Sequence, residues 1–172
     1  EQVLEAVQGR SAGILVFTGG EPLLQEGFIQ AAGPGLREMG YRLHLETNGS
    51  LPDALAPVKD IVDFISMDVK LPSTQGGRSL AAEHQRFLEA LGGKPAAVKI
   101  VVTADAGLDE VAEAARLVGT INPWLPVFLQ PAFEGAHPAV DAGRLLAALA
   151  AARRFVGDAR LSLQMHKVLG LR

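Results

Sequence analysis

Residues 64–70 read Phe64-Ile65-Ser66-Met67-Asp68-Val69-Lys70. Ile65, Met67 and Val69 alternate with Ser66, Asp68 and Lys70. That period of two belongs to a strand with one apolar and one polar face. A parallel strand buried on both faces would be apolar throughout. The alternation recurs outward in both directions. Residues 41–48 set Leu43 and Leu45 against His44, Glu46 and Asn48, and residues 98–103 set Val98, Ile100 and Val102 against Lys99 and Thr103. Gln130 ends a fifth run. Arg160, Ser162, Gln164 and His166 oppose Leu161, Leu163 and Met165 in a sixth. The polar sets gather toward strand C-termini, where α/β proteins place ligands.

Strands are expected at 13–19, 41–47, 61–69, 96–103, 125–131 and 159–165, and helices at 1–8, 23–39, 53–58, 79–91, 108–119 and 139–155. Such alternation predicts a parallel sheet with right-handed crossovers. An open, curved barrel with a polar lumen satisfies the pattern, and so does a flat sheet with one wet face. Helices long enough to form one outer layer favour the barrel. The longest irregular stretch, 71–78, is too short to separate two domains.

The 172 residues suffice for one domain with a sizeable core, and an apolar content of 48% marks a globular chain. No apolar run approaches the roughly 20 residues of a membrane span, and no signal peptide is visible. A net charge of −3 without a basic block argues against nucleic acid as the main partner. There is no cysteine, so disulfides and thiolate metal sites are impossible within these residues. The chain opens Glu1-Gln2-Val3-Leu4-Glu5, already in a helical pattern and without an initiator Met. It is expected to have lost upstream sequence.

Residues 13–22 read Gly-Ile-Leu-Val-Phe-Thr-Gly-Gly-Glu-Pro, a buried-strand run ending at two glycines, a carboxylate and a proline. Gly19 and Gly20 let a ligand reach the backbone. Glu21 offers an anion to a cationic, amine-bearing ligand, and Pro22 suits the first turn of a helix. The alternative is an ordinary tight turn. Glu46-Thr47-Asn48-Gly49 repeats the logic: Glu46 could accept from ribose hydroxyls or an amine, or be a solvated residue before an Asn-Gly turn. Asp68 and Lys70 share a face, either as a plain ion pair or with Lys70 holding a substrate carboxylate. Lys99 lies in an apolar run, where an unpaired ammonium is costly, so it should enter a polar lumen and meet an anion. Gln130 offers an amide at a strand end. His84 sits in a helical pattern and is expected to be solvated. The histidines lack metal-ligand spacing, and no phosphate-loop, serine-hydrolase or zinc-protease motif occurs.

Together, the Thr-Gly-Gly-Glu-Pro at 18–22, the Glu-Thr-Asn-Gly at 46–49 and the Gln-Met-His-Lys at 164–167 resemble the radical S-adenosylmethionine superfamily. Within it they are most similar to the 7-carboxy-7-deazaguanine synthase family of queuosine and deazapurine biosynthesis, which feeds tRNA modification. The resemblance runs over essentially the whole chain and implies a single domain over 1–172: an N-terminally incomplete partial (β/α) barrel, with helices outside its parallel strands and the first strand and cluster loop missing. It implies a lyase that uses S-adenosylmethionine, a 4Fe-4S cluster and magnesium. Its radical would convert 6-carboxy-5,6,7,8-tetrahydropterin to 7-carboxy-7-deazaguanine by ring contraction with loss of ammonia. On that resemblance Gly19, Gly20 and Glu21 would hold the methionyl amine, Glu46 and Asn48 would lie at cofactor or substrate, and Ser66 and Lys70 at the cofactor's ribose or carboxylate. Lys99, Gln130, Gln164 and His166 would face the substrate or the lumen. It also implies a cytoplasmic enzyme, an electron donor such as flavodoxin or ferredoxin, and a homodimer. The departure is the cysteine motif, which precedes the glycine-rich motif in this superfamily and is absent from these residues. Without cysteine, this chain is expected to be inactive. Two other readings stay open: an activase of glycyl-radical enzymes, and a non-catalytic S-adenosylmethionine-binding domain.

Overall fold

The computed structural model describes residues 2–9, 13–135 and 137–170. Glu1, where the first expected helix begins, lies outside them. Eight strands occur in chain order: β1 (Ile14–Phe17), β2 (Arg42–Thr47), β3 (Phe64–Val69), β4 (Ala96–Val102), β5 (Val127–Pro131), β6 (Phe133–Glu134), β7 (His137–Pro138) and β8 (Ala159–Leu161). Six form one parallel sheet in the order β1-β2-β3-β4-β5-β8, while β6 and β7 make a small antiparallel hairpin. Spatial order follows chain order, so the winding never reverses and right-handed crossovers carry the helices to one face. The expected partial barrel is therefore present as an open sheet, whose edge strands β1 and β8 do not pair with each other.

The alternation read in the sequence sets the two faces. Leu43, Leu45, Ile65, Met67, Val98, Ile100, Val127 and Leu129 are buried on the helix-covered face. Over them lie α2 (Glu26–Glu38), α3 (Ala81–Leu91), α4 (Leu108–Ile121) and α5 (Ala142–Ala152), contributing Ile29, Leu36, Phe87, Val111, Val118 and Ala148 to the same core. A short α1 (Gln2–Val7) precedes β1 and packs Leu4 and Val7 on that core. The other sheet face keeps His44, Ser66, Asp68, Lys99, Phe128 and Gln130 half-buried. Register sets Glu46 beside Ser66 and Asp68 beside Lys99.

Three expectations about local structure are corrected. The helix expected at 53–58 is a 3-10 turn, Pro52–Ala54, followed by further turns, because the chain closes i→i+3 bonds from Ala54 N to Leu51 O and from Leu55 N to Pro52 O. The strand expected at 159–165 ends at Leu161. Ser162 N still donates to Leu129 O at 2.9 Å, but the neighbouring strand stops at Pro131 and turns into the hairpin. Without a neighbouring ladder the tail coils into α6 (Met165–Val168). His166 therefore sits on a helical turn and Gln164 at its N-cap, off the strand face assigned to both. The third correction concerns the hairpin itself, β6 and β7, for which no strand was expected.

Candidate functional site

The strand ends open onto a cleft of about 600 Å³. Thr18, Gly19 and Gly20 border it after β1, and Glu46 and Asn48 at the end of β2. Ser66, Asp68 and Lys70 follow from β3, Lys99 from β4, Phe128 and Gln130 from β5, and Ser162 from beyond β8. The volume is that of a small-molecule site. Of the residues read from the sequence, the cleft gathers Gly19, Gly20, Glu46, Asn48, Ser66, Lys70, Lys99 and Gln130. Glu21, Gln164 and His166 are not on its lining. From the tail, Ser162 reaches the cleft instead.

Gly19 has φ +104°, which an L side chain rarely adopts, and the space where a Cβ would stand is open. The glycine rim therefore exposes backbone to the cleft. Glu21 faces the chain's own donors. Its Oε1 accepts from Leu23 N at 3.0 Å and from Thr47 Oγ1 at 2.8 Å, and its Oε2 accepts from Asn48 N at 2.7 Å. The carboxylate thus caps the 3-10 turn Pro22–Gln25 and ties the exit of β1 to that of β2. The carboxylate lining the cleft on this side is Glu46, which accepts from Thr18 Oγ1 at 3.0 Å.

The opposite side is cationic. Lys70 Nζ lies 2.7 Å from Asp68 Oδ2 and Lys99 Nζ lies 3.5 Å from the same oxygen, so two ammoniums share one carboxylate. Lys99 meets an anion, as its place in an apolar run requires. Asp68 Oδ1 is buried with no hydrogen-bond partner among the described residues. Below this level His44 Nε2 lies 2.8 Å from Ser66 Oγ, and the His44 ring meets Phe64 edge-on. Burial lowers the His44 pKa, while Glu46 pulls it back in part.

His84 departs from its expected solvation. It is 2% exposed, and its Nε2 lies 3.1 Å from Asn48 O. A single polar residue on a helical face gives no warning of such a contact, because the carbonyl it meets belongs to a distant loop.

No protein-family model matches the chain. Over 155 residues it is 35% identical to a 7-carboxy-7-deazaguanine synthase of Geobacter sulfurreducens, an alignment covering 90% of this chain and 62% of that protein. It therefore spans less than two thirds of that relative's length. A synthase of the same name from Koribacter versatilis is 33% identical over 175 residues, covering 98% of this chain and 74% of the relative. Among solved structures, a domain of pyruvate-formate lyase-activating enzyme from Bacteroides vulgatus shares the fold, with a TM-score of 0.70 at 18% identity over 88% of this chain and 99% of that one. A third of residues identical along nearly the whole chain, on an open parallel sheet of this kind, settles the kinship: the chain belongs to the 7-carboxy-7-deazaguanine synthase family.

Proposed function

We propose that this chain forms the cofactor and substrate walls of an enzyme that converts 6-carboxy-5,6,7,8-tetrahydropterin to 7-carboxy-7-deazaguanine by radical ring contraction with loss of ammonia. The observation that carries the reading is the polarity of the cleft. A carboxylate, Glu46, stands beside a bare glycine rim on one side, and two lysines share Asp68 on the other. S-adenosylmethionine carries an ammonium and a carboxylate, and the pterin substrate carries a carboxylate and amide edges. Both suit such a cleft.

In this reading the backbone of Gly19 and Gly20, with Glu46, receives the methionyl amine. Glu21 serves it by bracing the strand exits, and Asn48 lies beside the bound molecules. Ser66 and Lys70 meet the ribose or carboxylate of the cofactor. Lys99 and Gln130 meet the substrate, while Gln164 and His166 act from the tail. The enzyme would work in the cytoplasm as a homodimer, with flavodoxin or ferredoxin supplying electrons.

The 4Fe-4S cluster of the superfamily does not fit these residues. Thiolates hold such clusters, and the 172 residues contain no cysteine. Among the described residues no three His, Asp or Glu side chains group as a metal-ion site. What these residues can do is bind and orient.

The test is turnover by the full-length protein, supplied with iron, sulfide, reductant, S-adenosylmethionine and the tetrahydropterin, with product followed by mass spectrometry. Formation of 7-carboxy-7-deazaguanine is expected. Cofactor cleavage that needs a partner protein, with the pterin untouched, would overturn the reading in favour of an activase.

A further inference from the structure

We infer that His84 is a positioning residue for the cofactor cleft, acting through the backbone of Asn48 from the outer helical layer. The inference rests on the reading that the cleft binds S-adenosylmethionine, and it deepens that reading.

The loop that follows β2 is held from three sides. In front, Glu21 Oε2 accepts from Asn48 N at 2.7 Å. Below, Gly49 at φ +69° lies against Met67, so closely that a Cβ there would meet the Met67 Cε. Behind, His84 Nε2 reaches Asn48 O at 3.1 Å from α3. A carbonyl oxygen only accepts, so Nε2 carries the hydrogen and donates. Asn48 lines the cleft, and its Oδ1 accepts from Ser50 N at 2.9 Å. Rotation of the 48–49 peptide would break the His84 contact and free the loop that carries Asn48 beside the cleft. Glu21 fixes the N–H of Asn48 and His84 fixes its C=O, so together they leave the residue one orientation. His84 is itself buried, and that burial lowers its pKa. Without the donor, a part-buried carbonyl loses its protein partner and the peptide gains a reason to turn.

The experiment compares the full-length protein with His84→Leu, which removes the donor, and His84→Gln, whose amide N–H can reach the same oxygen. S-adenosylmethionine affinity is read by calorimetry, and amide exchange at 46–50 by mass spectrometry. His84→Leu is expected to weaken binding about tenfold and to speed exchange of the loop, with His84→Gln restoring both. Equal affinity and equal exchange in all three proteins would overturn the inference. So would a lower melting temperature in His84→Leu with unchanged affinity, which would make the contact merely structural. If the unaltered protein binds no S-adenosylmethionine, the functional reading fails instead. The exchange measurement then decides the positioning role: loop protection lost in His84→Leu and regained in His84→Gln supports it, and uniform protection refutes it.

Discussion

Glu21 accepts a hydrogen bond from the backbone of Asn48 at 2.7 Å, so the carboxylate that ends the first glycine motif holds the second motif in place. Two segments that look like separate sites in the sequence are one braced unit. Glu21 also accepts from Leu23 N and Thr47 Oγ1. Replacing it with Gln turns one acceptor into an NH₂ group facing donors. Glu21→Gln is expected to lower unfolding stability by roughly 1–3 kcal/mol, the usual cost of leaving a part-buried donor unmet. Urea denaturation measures it. Stability equal to that of the unaltered protein would mean the brace is not maintained in solution.

Gly49→Ala probes the floor of the same loop. Positive φ already strains an alanine, and the new methyl would press on Met67. A loss of about 1 kcal/mol or more is expected by thermal or urea unfolding. Shortening Met67 relieves the clash but leaves the backbone strain, so the double variant Gly49→Ala/Met67→Ala should show a coupling term. Strict additivity of the two changes would contradict the contact.

Lys70 and Lys99 share Asp68, so removing either leaves a balanced pair and one cation fewer for a ligand. Lys99→Met is expected to weaken binding of the pterin carboxylate about tenfold, with less loss at high salt because partly exposed charges are screened. Titration of the substrate against both proteins at two ionic strengths measures this. Unchanged affinity would remove Lys99 from the substrate side.

Much of this arrangement is legible in the sequence. Leu43 and Leu45 against His44 and Glu46, and Ile65 and Met67 against Ser66 and Asp68, announce half-polar strands. Their register, with Asp68 opposite Lys99, is not legible there, because a slip of two residues would leave the same side chains on the same faces. The tail from Ser162 to Lys167 was not legible, because alternating polar and apolar residues suit a strand only while a neighbour offers a ladder. Here the neighbour ends at Pro131. The burial of His84 was hidden for another reason. Its partner is a main-chain carbonyl 36 positions away, and backbone acceptors leave no trace in residue type. Glu21 stands out in the sequence, but a carboxylate beside a glycine turn reads the same whether it serves a ligand or the chain's own N–H groups, and here it meets the latter.

Stability should also depend on pH through the histidines. Burial lowers the pKa of His44 and of His84 from the ordinary value of 6.5. Glu46 partly offsets this at His44. At His84 the Asn48 hydrogen bond, Glu83 and Asp68 oppose the lowering, while Lys70 adds to it. The unfolded chain therefore takes up protons near 6.5, where the folded chain does not. Stability is full above that value and falls as pH drops through it toward the lowered folded pKa values. Urea midpoints at pH about 7.5 and about 5.5 should differ, and His44→Gln should reduce the difference. An unchanged slope in that variant would exclude His44 as a contributor.

S-adenosylmethionine is proposed to occupy the cleft at the strand ends. Hydrogen–deuterium exchange of the full-length protein, with and without S-adenosylmethionine, tests it most directly. Protection is expected at 18–20, 46–49 and 66–70, where the cleft is walled by three successive strand exits. Protection confined to the outer groove between α3 and α4, or no protection anywhere in this chain, would contradict it.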